Sequence, residues 1–138
     1  VNETGDMLLV TGFDTTIYIF QNDIWNLIKL KEQDYELEFL RSSLSSDGRY
    51  IVAGINNINS LDSLIYLITI QDSGFYETKL IYTVPNEYVV KQVEFNYMRN
   101  IYVLLHPRTG LKTDYSLISL SPLGLIVIRY NTNENTIY

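Results

Sequence analysis

Cysteine is absent from the 138 residues. That removes disulfides and thiolate metal sites and leans the expectation towards an intracellular, cytoplasmic protein. Positive charge is scarce, with ten Lys and Arg against 16 Asp and Glu and a net charge of −6. Gripping phosphate backbones takes clustered cations, so no direct nucleic-acid partner is expected. Long apolar runs are missing too. The longest, such as LIYLI (64–68), have strand length and fall well short of the roughly 18 residues of a membrane span. Histidine occurs once, at His106. A zinc site would therefore need carboxylates for its other ligands, and a Ser-His-Asp site would have to run through this one residue. No catalytic residue, metal or cofactor is expected. No signal peptide is read in these residues, and the opening Val1 leads us to expect a processed product or an excerpt of something longer. The single sequon, Asn2-Glu3-Thr4, is what chance supplies in a chain rich in Asn and Thr.

What is present favours β structure. The apolar share of 46% is enough for a core, and the length suits one domain. Twelve tyrosines and many Ile and Val favour strands, where branched and aromatic side chains pack on a pleated surface. Polar clusters interrupt them at short intervals, among them Gln21-Asn22-Asp23, Asp72-Ser73-Gly74 and Arg108-Thr109-Gly110, which read as turns and loops. Helical periodicity is not found. Residues 29–40 come nearest, but there Glu32, Asp34, Glu36 and Glu38 alternate with Gln33, Tyr35, Leu37 and Phe39, a period of two and hence a strand.

The segments repeat. GDMLLVTG (5–12) lies over DGRYIVAG (47–54), and MRNIYVLL (98–105) repeats the apolar run without the glycine. Each is followed by a second run (TIYIFQ from Thr16, LIYLIT from Leu64, YSLISL from Tyr115) and a third (IWNLIKL from Ile24, YETKLIYT from Tyr76, LGLIVIRY from Leu123). LEFLRSSL (37–44) and KQVEFNY (91–97) stand ahead of the second and third units. Four strands in about 40–50 residues is the period of propeller blades. Asp47-Gly48 reads as a tight two-residue hairpin, because such turns need positive φ.

On these residues the chain resembles β-propellers, most nearly the WD-repeat family. It departs from that family in lacking the Gly-His pair before the first strand. The Trp-Asp pair ending the third strand is replaced by Phe20-Gln21, Ile68-Thr69 and Ile118-Ser119. The family's buried Asp–His–Ser/Thr–Trp network cannot be built, so apolar packing would have to hold the blades. The expected fold is all-β, a partial β-propeller of about three four-stranded antiparallel blades (about 5–30, 37–84 and 91–130) within one segment, 1–138. The first blade lacks its innermost strand. A β-sandwich is the alternative. Propellers have about four to eight blades, so three leave end faces of apolar surface that invite association. Such faces would be covered by the rest of a longer chain or by a second copy, two copies making a six-bladed ring.

Candidate binding residues follow. The stripe Glu32, Asp34, Glu36 and Glu38 suits a basic peptide or a cation, against a solvated edge that discourages strand pairing. The loop HPRTGLKT (106–113) carries His106, Arg108 and Lys112 and is locally basic, which suits an acidic protein partner. The loop 56–63 is also longer than a hairpin needs, and long loops on rigid scaffolds carry binding residues or tolerated insertions. Trp25, the single tryptophan, is either an exposed anchor or core. Tyr18, Tyr66, Tyr82, Tyr88 and Tyr102 are expected to pack between blades more than to anchor partners. The resemblance implies a non-catalytic protein–protein interaction scaffold, docking other subunits within a larger assembly. The alternative is a ligand-binding or hydrolytic propeller whose central channel would be lined by Arg41, Ser42, Ser43, Lys91, Gln92 and Glu94. A self-assembling structural protein is the third reading.

Overall fold

The computed structural model describes residues 1–11, 16–29, 37–57, 63–71, 76–96, 100–108, 116–121, 126–131 and 136–137. They form twelve strands and no helix. Sheet I is β1 (Met7–Thr11), β2 (Thr16–Gln21) and β3 (Ile24–Lys29), in that order. Sheet II is β4 (Leu37–Leu44), β5 (Tyr50–Asn57), β6 (Ser63–Ile70) and β7 (Tyr76–Val84). Sheet III runs β8 (Tyr88–Phe95), β9 (Ile101–Pro107), β10 (Ser116–Leu120), β11 (Ile126–Asn131) and β12 (Thr136–Ile137). Each is an antiparallel meander, and none closes into a barrel. The two-residue β12 adds an edge that the sequence pattern did not suggest.

Sheet II is the middle layer. Ile51, Ala53, Ile55 and Ile68 pack against Met7, Ile17, Ile19 and Ile28 of sheet I. Val52, Ile65, Leu67, Ile81 and Val84 pack against Val90, Val93, Ile101, Val103, Leu105, Ile118 and Leu120 of sheet III. Strand side chains alternate between faces, so a strand covered on both faces reads as an unbroken apolar run. IVAGI in β5 is that case, and every residue from Ile51 to Asn56 is buried. Each fully buried Ile is worth about 2 kcal/mol of transfer free energy.

The layers approach one another unevenly. β8 lies against β4 and β5, and β1 lies against β4. On the far edge of sheet II, Glu77, Thr78, Lys79 and Leu80 of β7 are exposed. The layers thus converge along β4 and β8 and diverge towards β7. Gly54 permits the convergence: a Cβ there would stand 2.7 Å from Val90 Cγ1 and 3.2 Å from Val93 Cγ1.

A recurring device joins first and second strands. Ser45 takes the Tyr50 N–H on its Oγ at 2.9 Å, and Ser45 N–H donates to the Tyr50 carbonyl at 2.8 Å. Asn2 accepts from Met7 N–H through Oδ1 at 3.0 Å, and Asn96 accepts from Asn100 N–H in the same way at 2.9 Å. The turn at Asp47-Gly48 is therefore wider than the expected two-residue hairpin. Gly48 alone takes positive φ (73°), while Asp47 Oδ1 receives Ser45 Oγ–H and Arg49 N–H. The tight turn lies instead at Asn22 (φ 54°) and Asp23 (φ 61°), between paired Gln21 and Ile24. Two successive positive φ values define a type I′ turn.

Strand pairing also corrects the repeat alignment. Leu8, Ile51 and Ile101 are equivalent, since they pair with Phe20, Ile68 and Leu120 in turn. The expected overlay was one residue out for the first and third units.

Candidate interaction surfaces

Among the described residues, two faces of the stack have no sheet over them. On the outer face of sheet I, Leu8, Phe20 and Trp25 form one cross-strand row and Val10, Tyr18 and Leu27 a second. Trp25 is 54% and Leu27 59% exposed, and the Trp25 ring lies 5.0 Å from that of Phe20. No member of the two rows is charged. Contiguous apolar faces are uncommon on folded surfaces. In sheet II the counterparts of Leu8, Phe20, Val10 and Tyr18, namely Ile51, Ile68, Ala53 and Tyr66, are covered by sheet I, while those of Trp25 and Leu27, Thr78 and Leu80, are exposed. At the other end, Tyr102, Leu104 and Leu117 line a shallow cleft of about 220 Å³ with Gln92 and Glu94. Tyr102 is 38% and Leu117 37% exposed.

Along the converging edge, Arg41, Ser42, Ser43, Lys91, Gln92 and Glu94 line a groove of about 360 Å³ between β4 and β8. The structure thus brings the six residues expected at a central channel to one place. Gln92 Nε2 donates to Glu94 Oε1 at 2.6 Å. A third concavity, about 550 Å³, lies where the turns of sheets I and II meet and gathers Asn2, Thr4, Asp6, Asn22 and Asp47. Thr4 Oγ1 and Asn2 Nδ2 each donate to Asp6 Oδ1 at 2.6 Å. These bonds favour the ionised form, Thr4 contributing most, and hold the Asp6 carboxyl below its ordinary value. Burial raises the phenols of Tyr66 and Tyr76. Among the described residues no three His, Cys, Asp or Glu side chains converge as a metal site would require. No helix among them is long and apolar enough to cross a membrane.

The sequence-derived candidates fare unequally. Glu32, Asp34, Glu36 and Lys112 lie outside the described residues. Glu38 falls in β4 at a register shift between Leu37 and Phe39. His106 is not in a loop: it is half-buried in β9 and paired with Val89, because the β8–β9 ladder runs on to Tyr88 and Pro107. Arg108 follows directly. Its Nε donates to the Asn86 carbonyl at 2.9 Å and its Nη2 to Ser63 Oγ at 3.1 Å.

Asn56 and Ser63, expected in a loop, are buried strand residues. Ser63 Oγ–H donates to Asn56 Oδ1 at 2.8 Å. The Asn56 amide in turn clasps Val90, taking its N–H on Oδ1 and donating Nδ2–H to its carbonyl, both at 2.9 Å. The chain Arg108–Ser63–Asn56–Val90 ties sheet II to sheet III, so Arg108 serves the fold. Tyr66, Tyr82 and Tyr88 pack between the sheets, whereas Tyr18 and Tyr102 stand on the two outer faces. Trp25 lies on the outer face of sheet I, on the edge strand β3, beside Tyr18 of the adjoining row. The rest of that surface was missed because Leu8, Val10 and Leu27 are ordinary strand residues. The signal available was the count of three units, which leaves two ends.

Comparison of the chain with models of known protein families, with curated proteins and with solved structures yields no match.

Proposed function

We propose that the protein is a non-catalytic interaction module, a set of propeller-like blades whose outer face docks another protein surface. One observation carries this reading: on the uncharged outer face of sheet I, Leu8, Val10, Tyr18, Trp25 and Leu27 are exposed and Phe20 half-buried, while the sheet II residues equivalent to Leu8, Val10, Tyr18 and Phe20 are covered by sheet I. Aromatic anchors flanked by aliphatic contacts are the composition of interface centres. The convergence of the layers along β4 and β8 supports propeller-like blades over a sandwich of parallel layers. Trp25 is the only tryptophan, so its fluorescence reports on this face alone. In the dilute chain, acrylamide is expected to quench Trp25 readily, as suits a ring that is 54% exposed. A shielded Trp25 in a monomer would sink the reading.

The groove of Arg41, Ser42, Ser43 and Lys91 favours a second reading, a small anionic ligand held at the inner strands. Inorganic phosphate and citrate serve as probes. Either would raise the melting temperature of the wild type and not of a Lys91→Ala variant, and no shift with either counts against that reading.

A further inference from the structure

The stack makes the same kind of interface twice, sheet I on sheet II and sheet II on sheet III, and carries one unused half of it at each end. The forward face of sheet II (Val52, Gly54, Ile65) covers sheet III; the equivalents in sheet III, by strand pairing, are Tyr102, Leu104 and Leu117. Those three are exposed or half-buried on its outer face. The backward face of sheet II (Ile51, Ala53, Tyr66, Ile68) is covered by sheet I. Its equivalents in sheet I are the exposed Leu8, Val10 and Tyr18 and the half-buried Phe20. From this we infer that the outer face of sheet III docks on the outer face of sheet I of a second copy, joining two copies head to tail.

The inference rests on reading sheet I's outer face as a docking surface, and one size match selects the occupant. Gly54 is small because the inner strand β8 of the next sheet puts Val90 and Val93 against it. In sheet III that position is Leu104, too bulky to meet an inner strand in the same way. Among the described residues, sheet I has no strand at the position of β4 or β8. The space that Val90 and Val93 fill within the stack is thus open in front of sheet I, and Leu104 fits it. A complete four-stranded sheet would collide there. Two unlike faces make a heterologous contact, which closes a ring if the rotation allows; two copies give six sheets, within the range of closed propellers.

The test is the native mass of the 138-residue chain by light scattering across a concentration series, with Trp25 emission recorded on the same samples. A dimer is expected, with Trp25 emission moving to the blue as it forms. Leu27→Arg and Leu117→Arg change exposed positions on opposite ends. Each variant alone is expected to be a monomer with red-shifted Trp25, although Leu117 lies on the far face from it. Mixed one to one, the two variants should recover a heterodimer, because one intact pair of faces remains. Far-UV circular dichroism checks folding, and Tyr102→Lys repeats the second variant independently. If Leu117→Arg stays dimeric, sheet I pairs with itself and the head-to-tail contact is overturned. A wild-type monomer with exposed Trp25 overturns the second copy and leaves the docking surface to another occupant. A monomer with shielded Trp25 overturns both.

Discussion

Asn56 does with one side chain what a neighbouring strand would do with its backbone. β8 is the edge of sheet III, and Val90 there turns its N–H and C=O towards the Asn56 amide. A buried backbone group left without a partner costs about 1–3 kcal/mol. Asn56→Ala is therefore expected to lower stability by about 2–4 kcal/mol in urea unfolding, and a loss under 1 kcal/mol would mean that the clasp is incidental. Asn56→Asp should be no better, since it removes the donor and buries a charge. Asp6 carries the pH-dependent counterpart. Its folded carboxyl lies below the ordinary 3.8, so its stabilising contribution is complete above about pH 4 and is lost as the pH falls through the lowered value. An NMR titration of the Asp6 carboxyl should place its midpoint under 3.8, with Thr4→Val moving it back up. A midpoint at or above 3.8 in the wild type would contradict the hydrogen bonds that Thr4 and Asn2 make to it.

Elements are where the sequence was most and least informative. Strand existence was legible from Ile, Val and Tyr content and period-two patterning, and eleven of the twelve strands fall on segments that the pattern singled out. Facing was harder. Matching Gly12 to Gly54 put the first unit one residue out, and a slip of one sends every side chain to the opposite face. The equivalent of Gly54 in the first unit is Thr11 and not the glycine after it. The third unit slipped because its connection, Asn96 to Asn100, is one residue shorter than Asn2 to Met7 and Ser45 to Tyr50. His106 was misplaced for a related reason: a His-Pro pair looks like loop punctuation, yet Pro107 lies on β9 past the last residue that β10 pairs with. The type I′ turn offers a gain. Asp23 holds φ of 61°, and glycine takes that conformation without steric penalty. Asp23→Gly should raise stability by about 0.5 kcal/mol, read as a higher urea midpoint at unchanged slope. Gly54→Ala should cost about 1–3 kcal/mol by the same measurement, through overpacking against Val90 and Val93. A neutral Gly54→Ala would mean that β5 and β8 can part at little cost.

At the scale of the whole molecule, β5 makes the three layers interdependent. Sheet I loses its support once β5 opens, and so does sheet III, because both cores use residues of that one strand. Unfolding followed by Trp25 fluorescence, which samples sheet I, should coincide with unfolding followed by far-UV circular dichroism, which samples all three. Two separated transitions would show that sheet I melts alone. The close approach at Gly54 reaches further than stability. It bears on the angle at which sheet III sits against sheet II, and the proposed assembly of unlike ends would carry that angle in every copy. A rotation that divides a full circle evenly gives a finished particle. One a few degrees wide of it, made with the same contacts, winds into an open screw with no built-in stopping point. In the proposed head-to-tail assembly, the missing methyl group at Gly54 would thus help to set the pitch, through the angle between sheets II and III.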